Sequence, residues 1–436
     1  MSTPDRRTFI KRSAAIAAGA SIASSLAFED VSAEGLVFPN AAPIRPPRDR
    51  DTLRIAVVGT GGMGTEHCRA FSRFARDGKA DVTVAAVCDI NTVRSNAAVA
   101  EIAKIDSKAA PRLYTDYREI LKDPSIHGVL IAAPEHWHAK IAEDAILAGK
   151  DVYSEKPMTL RLKQAMRLRE VANRHPDRIA VVGTQYTTYA TYLEAKRLIA
   201  AGEIGKPTFS QTSYCRNSKD GEWLYYQIDP LWKPGVNLDW KAWLGDMKKV
   251  PYNAEIYARW RRYKDYSTGI IGDLLVHYMT PLVMALDVGW PTRVVASGGH
   301  YVDKAMENHD QVNINAEFER EHTMVVAGST ANELGLETIV RGHKGNLYLT
   351  SKKATVRPEQ LFAEEVQPRE FISQDVGDPQ DVLRMQWLDA IRTRVQPAST
   401  IDLGTKIMVI VDLATRSMWT GKAYRFDPAK MRVREI

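Results

Sequence analysis

The strongest constraint on the fold is LRIAVVGTGGMGTEHCRAFSRFA, residues 53–75. Its apolar run Ile55–Val58 passes directly into Gly59, Gly61 and Gly64, which lead into a helical pattern. A G-x-G-x-x-G between a strand and a helix has a physical reading. The first glycine permits a tight turn, the second lets backbone approach a pyrophosphate, the third lets helix and strand pack closely, and the helix N-terminus faces the anion. Gly62 and Met63 complete the turn. This unit predicts an α/β, doubly wound parallel sheet that binds a dinucleotide. Glycines that merely serve a turn are the alternative.

The next strand, DVTVAAVCDI, ends at Asp89, beyond the usual spacing of about 20 residues, and the RDGKAD loop accounts for the excess. A carboxylate there accepts hydrogen bonds from an adenosine ribose and repels a 2′-phosphate, which favours NAD over NADP. Arg94 is close enough in sequence to keep NADP possible, and Asp89 could instead cap a helix starting near Asn91. Alternation continues with GVLIAAP as a buried strand ending at Ala133 and Pro134, a helix over 138–148, the strand DVYSEKP, a helix over 159–173, and the strand RIAVVGT. Chemistry is expected in the loops at the carboxyl ends of these strands. Beyond Gln185 the pattern changes: PTFSQTSYC, TRVVASGG, QVNINAEFE and TMVVAGST read as strands of a second sheet, mostly antiparallel because their connections are short. The expected division is a nucleotide-binding domain over 52–185 and an α+β domain over 186–436, with an open sheet and C-terminal helices packing back toward the first domain.

Ahead of these domains, DRRTFIK is followed by a weakly apolar Ala/Ile/Ser run to Ala27, and VSA ends at Ala33. The pattern resembles a twin-arginine export signal over 1–33 with a linker over 34–51, which predicts periplasmic export through that machinery. The alternatives are a frayed basic terminus or a membrane anchor, but the run is shorter than the roughly 20 residues a spanning helix needs. The net charge of +6 is modest and interspersed, so the basic stripe of a nucleic-acid binder is missing. Three cysteines without a C-x-x-C pair argue against a disulfide framework, and no His/Cys spacing suggests a structural metal.

The stretch AAPEHWHAKIAEDAILAGKDVYSEKPMTL, with its P-x-x-x-H, A-G-K-D-V and E-K-P segments, resembles the glucose-fructose oxidoreductase / inositol 2-dehydrogenase (Gfo/Idh/MocA) family. GEIGKP, WKAWLGD, GIIGDLLVHYM and the C-terminal WLDAIRTRVQP extend the resemblance over nearly all of the mature chain. Lys156 follows a strand end and is braced by Pro157; alone it could be a surface lysine. Asp273 and His277, four apart, fall on one helical face, where the Asp would orient the imidazole and raise its basicity. A satisfied buried His is the plainer reading.

The resemblance implies a catalytic set in which Lys156 polarises a substrate oxygen, His277 is general base and acid, and Asp273 supports His277. Its implied cofactor set is Gly59, Gly61, Gly62, Met63, Gly64, Asp89, Arg94, Ala133, Pro134, His138, Glu155, Lys156 and Gln185. Glu135 stands where the family more often has Asn or Asp, so its own contact with the cofactor is open. Candidate substrate contacts are Tyr186, Tyr214, Arg216, Asn217, Trp260 and Arg261, with core packing the alternative for the aromatics. The implied activity is NAD-dependent hydride transfer at a sugar, sugar-derivative or cyclitol hydroxyl, in a homodimer or homotetramer. The alternatives are a redox-assisted glycosidase or lyase, and a non-catalytic nucleotide-bound protein.

Overall fold

The computed structural model describes residues 51–436; the expected export signal and all of the linker but Asp51 lie outside the described residues. Strands Leu53–Val58 (β1), Val82–Cys88 (β2), Arg112–Tyr114 (β3), Gly128–Ile131 (β4), Asp151–Ser154 (β5) and Ala180–Val182 (β6) form one parallel sheet in the order β3-β2-β1-β4-β5-β6. Helices Gly62–Arg76 (α1), Thr92–Ile105 (α2), Tyr117–Leu121 (α3), Glu135–Leu147 (α4) and Leu162–Arg174 (α5) connect them. The order reverses between β1 and β4, and a crevice outside the strand ends is expected there.

Register fixes what lines that crevice. Val58 pairs with Cys88 and Ile131, Ile131 with Ser154, and Ser154 with Val182. The residues that follow these partners, Gly59, Asp89, Ala132, Glu155 and Gly183, therefore share one rim. Two helix starts differ from the sequence expectation. Helix α4 begins at Glu135, not 138, because Pro134 occupies its N-cap with φ −61°. Helix α5 begins at Leu162, not 159, because the Arg161 N–H is taken by the Gln164 side chain, which caps the helix there.

The second sheet comprises Pro207–Asn217 (β7), Pro291–Gly299 (β8), Gln311–Phe318 (β9), His322–Ser329 (β10), Ala331–Asn332 (β11), Thr338–Gly342 (β12), Gly345–Leu349 (β13), Lys353–Pro358 (β14), Arg369–Ile372 (β15), Tyr424–Asp427 (β16) and Arg432–Glu435 (β17). Its order is β15-β14-β13-β12-β7-β10-β9-β8-β16-β17, with β11 beside β7. Among the described pairs of this sheet only β7 and β10 run parallel.

Helices Ala190–Ala200 (α6), Trp240–Leu244 (α7), Ala254–Ala258 (α8), Val276–Leu286 (α9), Pro379–Thr393 (α10) and Ile401–Thr420 (α11) complete the described helices. Helix α10 returns to the first sheet, where Leu383, Trp387 and Ile391 share a core with Ile55, Val57 and Phe71. A Cβ at Gly128 would lie 2.8 Å from the Trp387 ring, so the bare backbone of β4 makes room for the indole. Helices α9 and α11 contribute Met279, Leu282, Met408 and Val411 to a core that includes Ile314 and Val326 of the second sheet. No described helix is long and apolar enough to cross a membrane.

Candidate active site

At the first strand end the glycines divide into two kinds. Gly59 has φ +88°, and a Cβ there would sit 2.6 Å from the Ala133 amide nitrogen. A Cβ at Gly64 would lie 1.7 Å from the Gly59 carbonyl oxygen, so α1 could not close onto β1. Gly61 and Gly62 face open space instead, the nearest atom to a Cβ at Gly61 being Arg94 Nη1 at 3.7 Å. Two glycines build the turn and two leave backbone uncovered, which suits a pyrophosphate. Met63 follows them in the first turn of α1.

Asp89 holds this loop from below. Its Oδ2 accepts from the Thr60 backbone N–H at 2.7 Å and the Thr60 hydroxyl at 2.9 Å, while Oδ1 accepts from the Asn91 N–H at 2.9 Å. The cap of α2 is Asn91, whose side chain accepts from the N–H groups of Val93 and Arg94, so the capping role considered for Asp89 belongs to its neighbour. Arg94 is caged: its guanidinium lies 4.6 Å from the ring centroids of both Trp232 and Tyr257. These rings belong to an aromatic segment over 229–266 that lies along the rim. Its backbone bonds Thr92 and Ile90 (Thr92 N–H to Asn237 O, 2.9 Å; Asp239 N–H to Ile90 O, 3.0 Å), and the Trp137 indole donates to Trp243 O at 2.8 Å. It therefore covers the rim at both β2 and β4.

The end of β5 and the turn before α9 carry the polar centre. Lys156 Nζ donates to Asp273 Oδ1 at 3.0 Å and to the Asp273 carbonyl at 2.7 Å. Arg261 Nε donates to the same Oδ1 at 2.9 Å. Burial alone would raise the Asp273 pKa, but the charges of Lys156 and Arg261 outweigh it and hold the carboxylate far below its usual range. Residues Ile271–Leu275 form a π-helical turn before α9, a rare geometry that concentrates at functional sites. A Cβ at Gly272 would meet the Thr268 hydroxyl oxygen at 2.0 Å, so any larger residue would force the Thr268 side chain to move.

The support of His277 expected from Asp273 is not formed as a hydrogen bond; Asp273 is engaged by Lys156 and Arg261 instead. His277 Nδ1 is buried with no hydrogen-bond partner among the described residues. Burial, and then the Lys156 charge, push the imidazole pKa down to about 3, overriding the opposite pull of Asp273. The ring is thus held neutral instead of being made more basic.

Around His277 stand three tyrosines. Its ring centroid is 5.4 Å from that of Tyr186 and 6.0 Å from that of Tyr214, and Tyr278 lies within 5.6 Å of both tyrosine rings. Tyr278, next to His277 in the sequence, is not among the expected substrate contacts; only the fold brings its ring to Tyr186 and Tyr214. Gln185 Oε1 is buried and unpartnered among the described residues. Arg216 sits 5.9 Å from the Tyr214 ring but is paired with the buried Glu222, a partner that sequence spacing did not single out. Trp260 lies under the Arg261 guanidinium at 4.2 Å and so backs the group that pairs with Asp273. Asn217 ends β7 in an exposed position, its backbone paired with Ala331.

Other rim residues act as fasteners. The two ring nitrogens of His138 lie 2.7 Å from the carbonyls of Ala133 and Pro157, so the ring bolts the β4 loop, with Pro134, to the E-K-P loop. Glu135 is fully buried and accepts from the Ser267 hydroxyl at 2.6 Å and from the Thr268 N–H at 3.1 Å. Its longer side chain thereby ties α4 to the segment leading into the π turn, and burial raises its pKa to about 7. Glu155 faces protein donors on both oxygens, which sets it apart from a free cofactor contact.

The fold and this rim define a two-domain, dinucleotide-binding class of protein. The profile of the oxidoreductase family with an NAD-binding Rossmann fold matches residues 53–184, and that of the same family's C-terminal alpha/beta domain matches residues 194–435. The chain belongs to the Gfo/Idh/MocA oxidoreductase family. Inositol 2-dehydrogenase of Salmonella typhimurium is 32% identical over 156 residues, which is 36% of this chain and 44% of that enzyme, so the match spans less than half of the relative. Among solved structures, an NAD binding oxidoreductase from Klebsiella pneumoniae superposes with a TM-score of 0.64 at 22% identity, covering 86% of this chain and 98% of its own. Levoglucosan dehydrogenase in complex with NADH and levoglucosan gives 0.63 at 18% identity, covering 88% and 100%. These likenesses establish the fold.

Proposed function

We propose that this protein is an NAD-dependent oxidoreductase acting on a CH–OH group of a sugar, sugar derivative or cyclitol. The observation that carries this reading is the Lys156–Asp273 pair, 3.0 Å apart, beside a buried His277 that lacks a partner and is ringed by tyrosines. The rim fits the dinucleotide: open backbone at Gly61 and Gly62, and an unpartnered buried atom on Gln185. Bound NAD supplies the hydride acceptor. Lys156, fixed by Asp273, donates a hydrogen bond to the reacting oxygen, and a ring nitrogen of neutral His277 takes the hydroxyl proton. Tyr186, Tyr214 and Tyr278 offer apolar faces with polar tips, which suits a ring bearing C–H faces and hydroxyls. Relatives named for inositol and levoglucosan support this substrate class.

The aromatic segment over 229–266 supports a cofactor that exchanges slowly, because it lies over the rim from Ile90 to Trp137. Retention accords with export of a folded, cofactor-loaded protein through the twin-arginine route, since a periplasmic enzyme could not readily replace lost NAD. It also opens a second reading: the hydride returns to the same substrate after elimination or hydrolysis, or passes to a second sugar, with no free NADH released. Protein purified from the periplasm and washed extensively is expected to release stoichiometric NAD on denaturation, and to turn over without added cofactor. Washed protein that is empty and depends on freely exchanging NAD would overturn retention.

A further inference from the structure

A buried polar file reaches the E-K-P loop from a helix some 230 residues further along the chain. Glu155, only 5% exposed, accepts on Oε1 from His67 Nε2 at 2.9 Å, and on Oε2 from the backbone N–H of Lys156 at 3.1 Å. Gln380 Nε2 also lies 3.4 Å from Oε1. His67, on α1 three residues after Gly64, is fully buried. Arg384 of α10 is fully buried too, and its Nε donates to His67 Nδ1 at 2.9 Å. A guanidinium has no acceptor, so Nδ1 carries the lone pair and Nε2 carries the proton that goes to Glu155. The tautomer is fixed by Arg384.

Beyond Glu155 the file continues through Lys156 to Asp273 and Arg261, and charge alternates along it: Arg384, Glu155, Lys156, Asp273, Arg261. A Cβ at Gly183 would lie 3.1 Å from the Glu155 carboxylate, so its position is restricted from the β6 side as well. We infer that His67 and Arg384 are positioning residues for Lys156, acting through Glu155, which holds the Lys156 backbone with one oxygen and receives the His67 proton with the other. This rests on the dehydrogenase reading for its kinetic consequence, but the geometry it concerns is that of the protein alone. Neither residue touches the reacting groups in this arrangement. Their effect is on where the Lys156 amine stands, and a displacement of about 1 Å at such a distance can cost about 10²-fold in rate.

Two amides separate this role from bulk packing. In His67→Asn the short amide keeps an acceptor for Arg384 but cannot reach Glu155; in His67→Gln the longer one spans to Glu155. Full-length protein is labelled at its lysines by reductive methylation with isotopically enriched formaldehyde, and the Lys156 signal, identified by its absence in Lys156→Arg, is read by NMR. The expected result is a shifted Lys156 signal in His67→Asn and a near-native one in His67→Gln. Turnover should fall about 10- to 100-fold in His67→Asn with the NAD content of the purified protein little changed, and recover most of the way in His67→Gln. Indistinguishable Lys156 signals in the two folded variants would overturn the inference, and that arm needs no substrate. A protein with the expected signals but no dehydrogenase activity would instead count against the proposed function. If His67→Asn fails to fold, Arg384→Lys, which keeps the charge but loses the Nε donor to His67, gives the same reading.

Discussion

His277→Ala is expected to retain cofactor binding and to lose about 10² to 10⁴ in turnover, the usual worth of a general acid–base group, or roughly 3 to 5 kcal/mol of barrier. The residue sits on α9, a different element from the glycine turn, and its Nδ1 bonds to no described residue, so removing the ring breaks no described hydrogen bond at that atom. The lost packing against Tyr186 and Tyr214 should cost stability without emptying the dinucleotide site. Steady-state kinetics with the best substrate, beside fluorescence titration with NADH, separates the two effects. Near wild-type turnover would remove His277 from the chemistry.

The second large effect belongs to Lys156. Lys156→Met leaves Arg261 to neutralise Asp273, so the variant should fold, yet it lacks the donor to the reacting oxygen and should lose about 10² to 10³ in turnover. It also carries a pH signature whose sign follows from the charges. His277 is held down to about 3 by burial and then by Lys156. The neutral, proton-accepting ring therefore persists as the pH falls, and kcat/KM should show no His277 titration between about pH 5 and 7. Removing the Lys156 charge raises the imidazole pKa toward its ordinary value and moves the acid limb upward. Glu135, raised to about 7, could titrate in the same window, and Glu135→Gln removes that contribution. A break near neutrality that survives in Glu135→Gln and vanishes only with His277 would contradict this electrostatic account.

How much of this was legible in the sequence follows from the range of the interactions. The rim was readable because strand period and chain order put Gly59, Asp89, Ala133 and Lys156 at successive carboxyl ends, and local patterns specify where strands stop. The segment bearing Asp273 and His277 was readable as a helix but not as a π turn, since the approach of Gly272 to Thr268 signals that geometry only once the Thr268 hydroxyl is placed. What spacing could not show were partners far apart in the chain. Asp273 pairs with Lys156 across 117 residues, and His67 with Arg384 across 317. Arg94 read as a possible phosphate contact because the cage of Trp232 and Tyr257 comes from a segment far along the chain. Such a cage, worth up to about 2 kcal/mol when desolvated, also fixes the guanidinium beside Gly61. Glu135 stood out by its departure from the family pattern, but its reach to Ser267 and Thr268 appears only in three dimensions.

Hydride transfer from substrate carbon to nicotinamide is the central claim, and isotope transfer tests it most directly. The purified protein, carrying or supplied with NAD, is mixed with inositols and sugars deuterated at their carbinol carbons and quenched within a single turnover. Nicotinamide reduction is followed by absorbance, and the recovered cofactor is analysed by mass spectrometry. The account predicts reduced nicotinamide bearing deuterium from the substrate carbon, visible even if the hydride later returns. A substrate that is converted while the nicotinamide is never reduced and never acquires deuterium would contradict it.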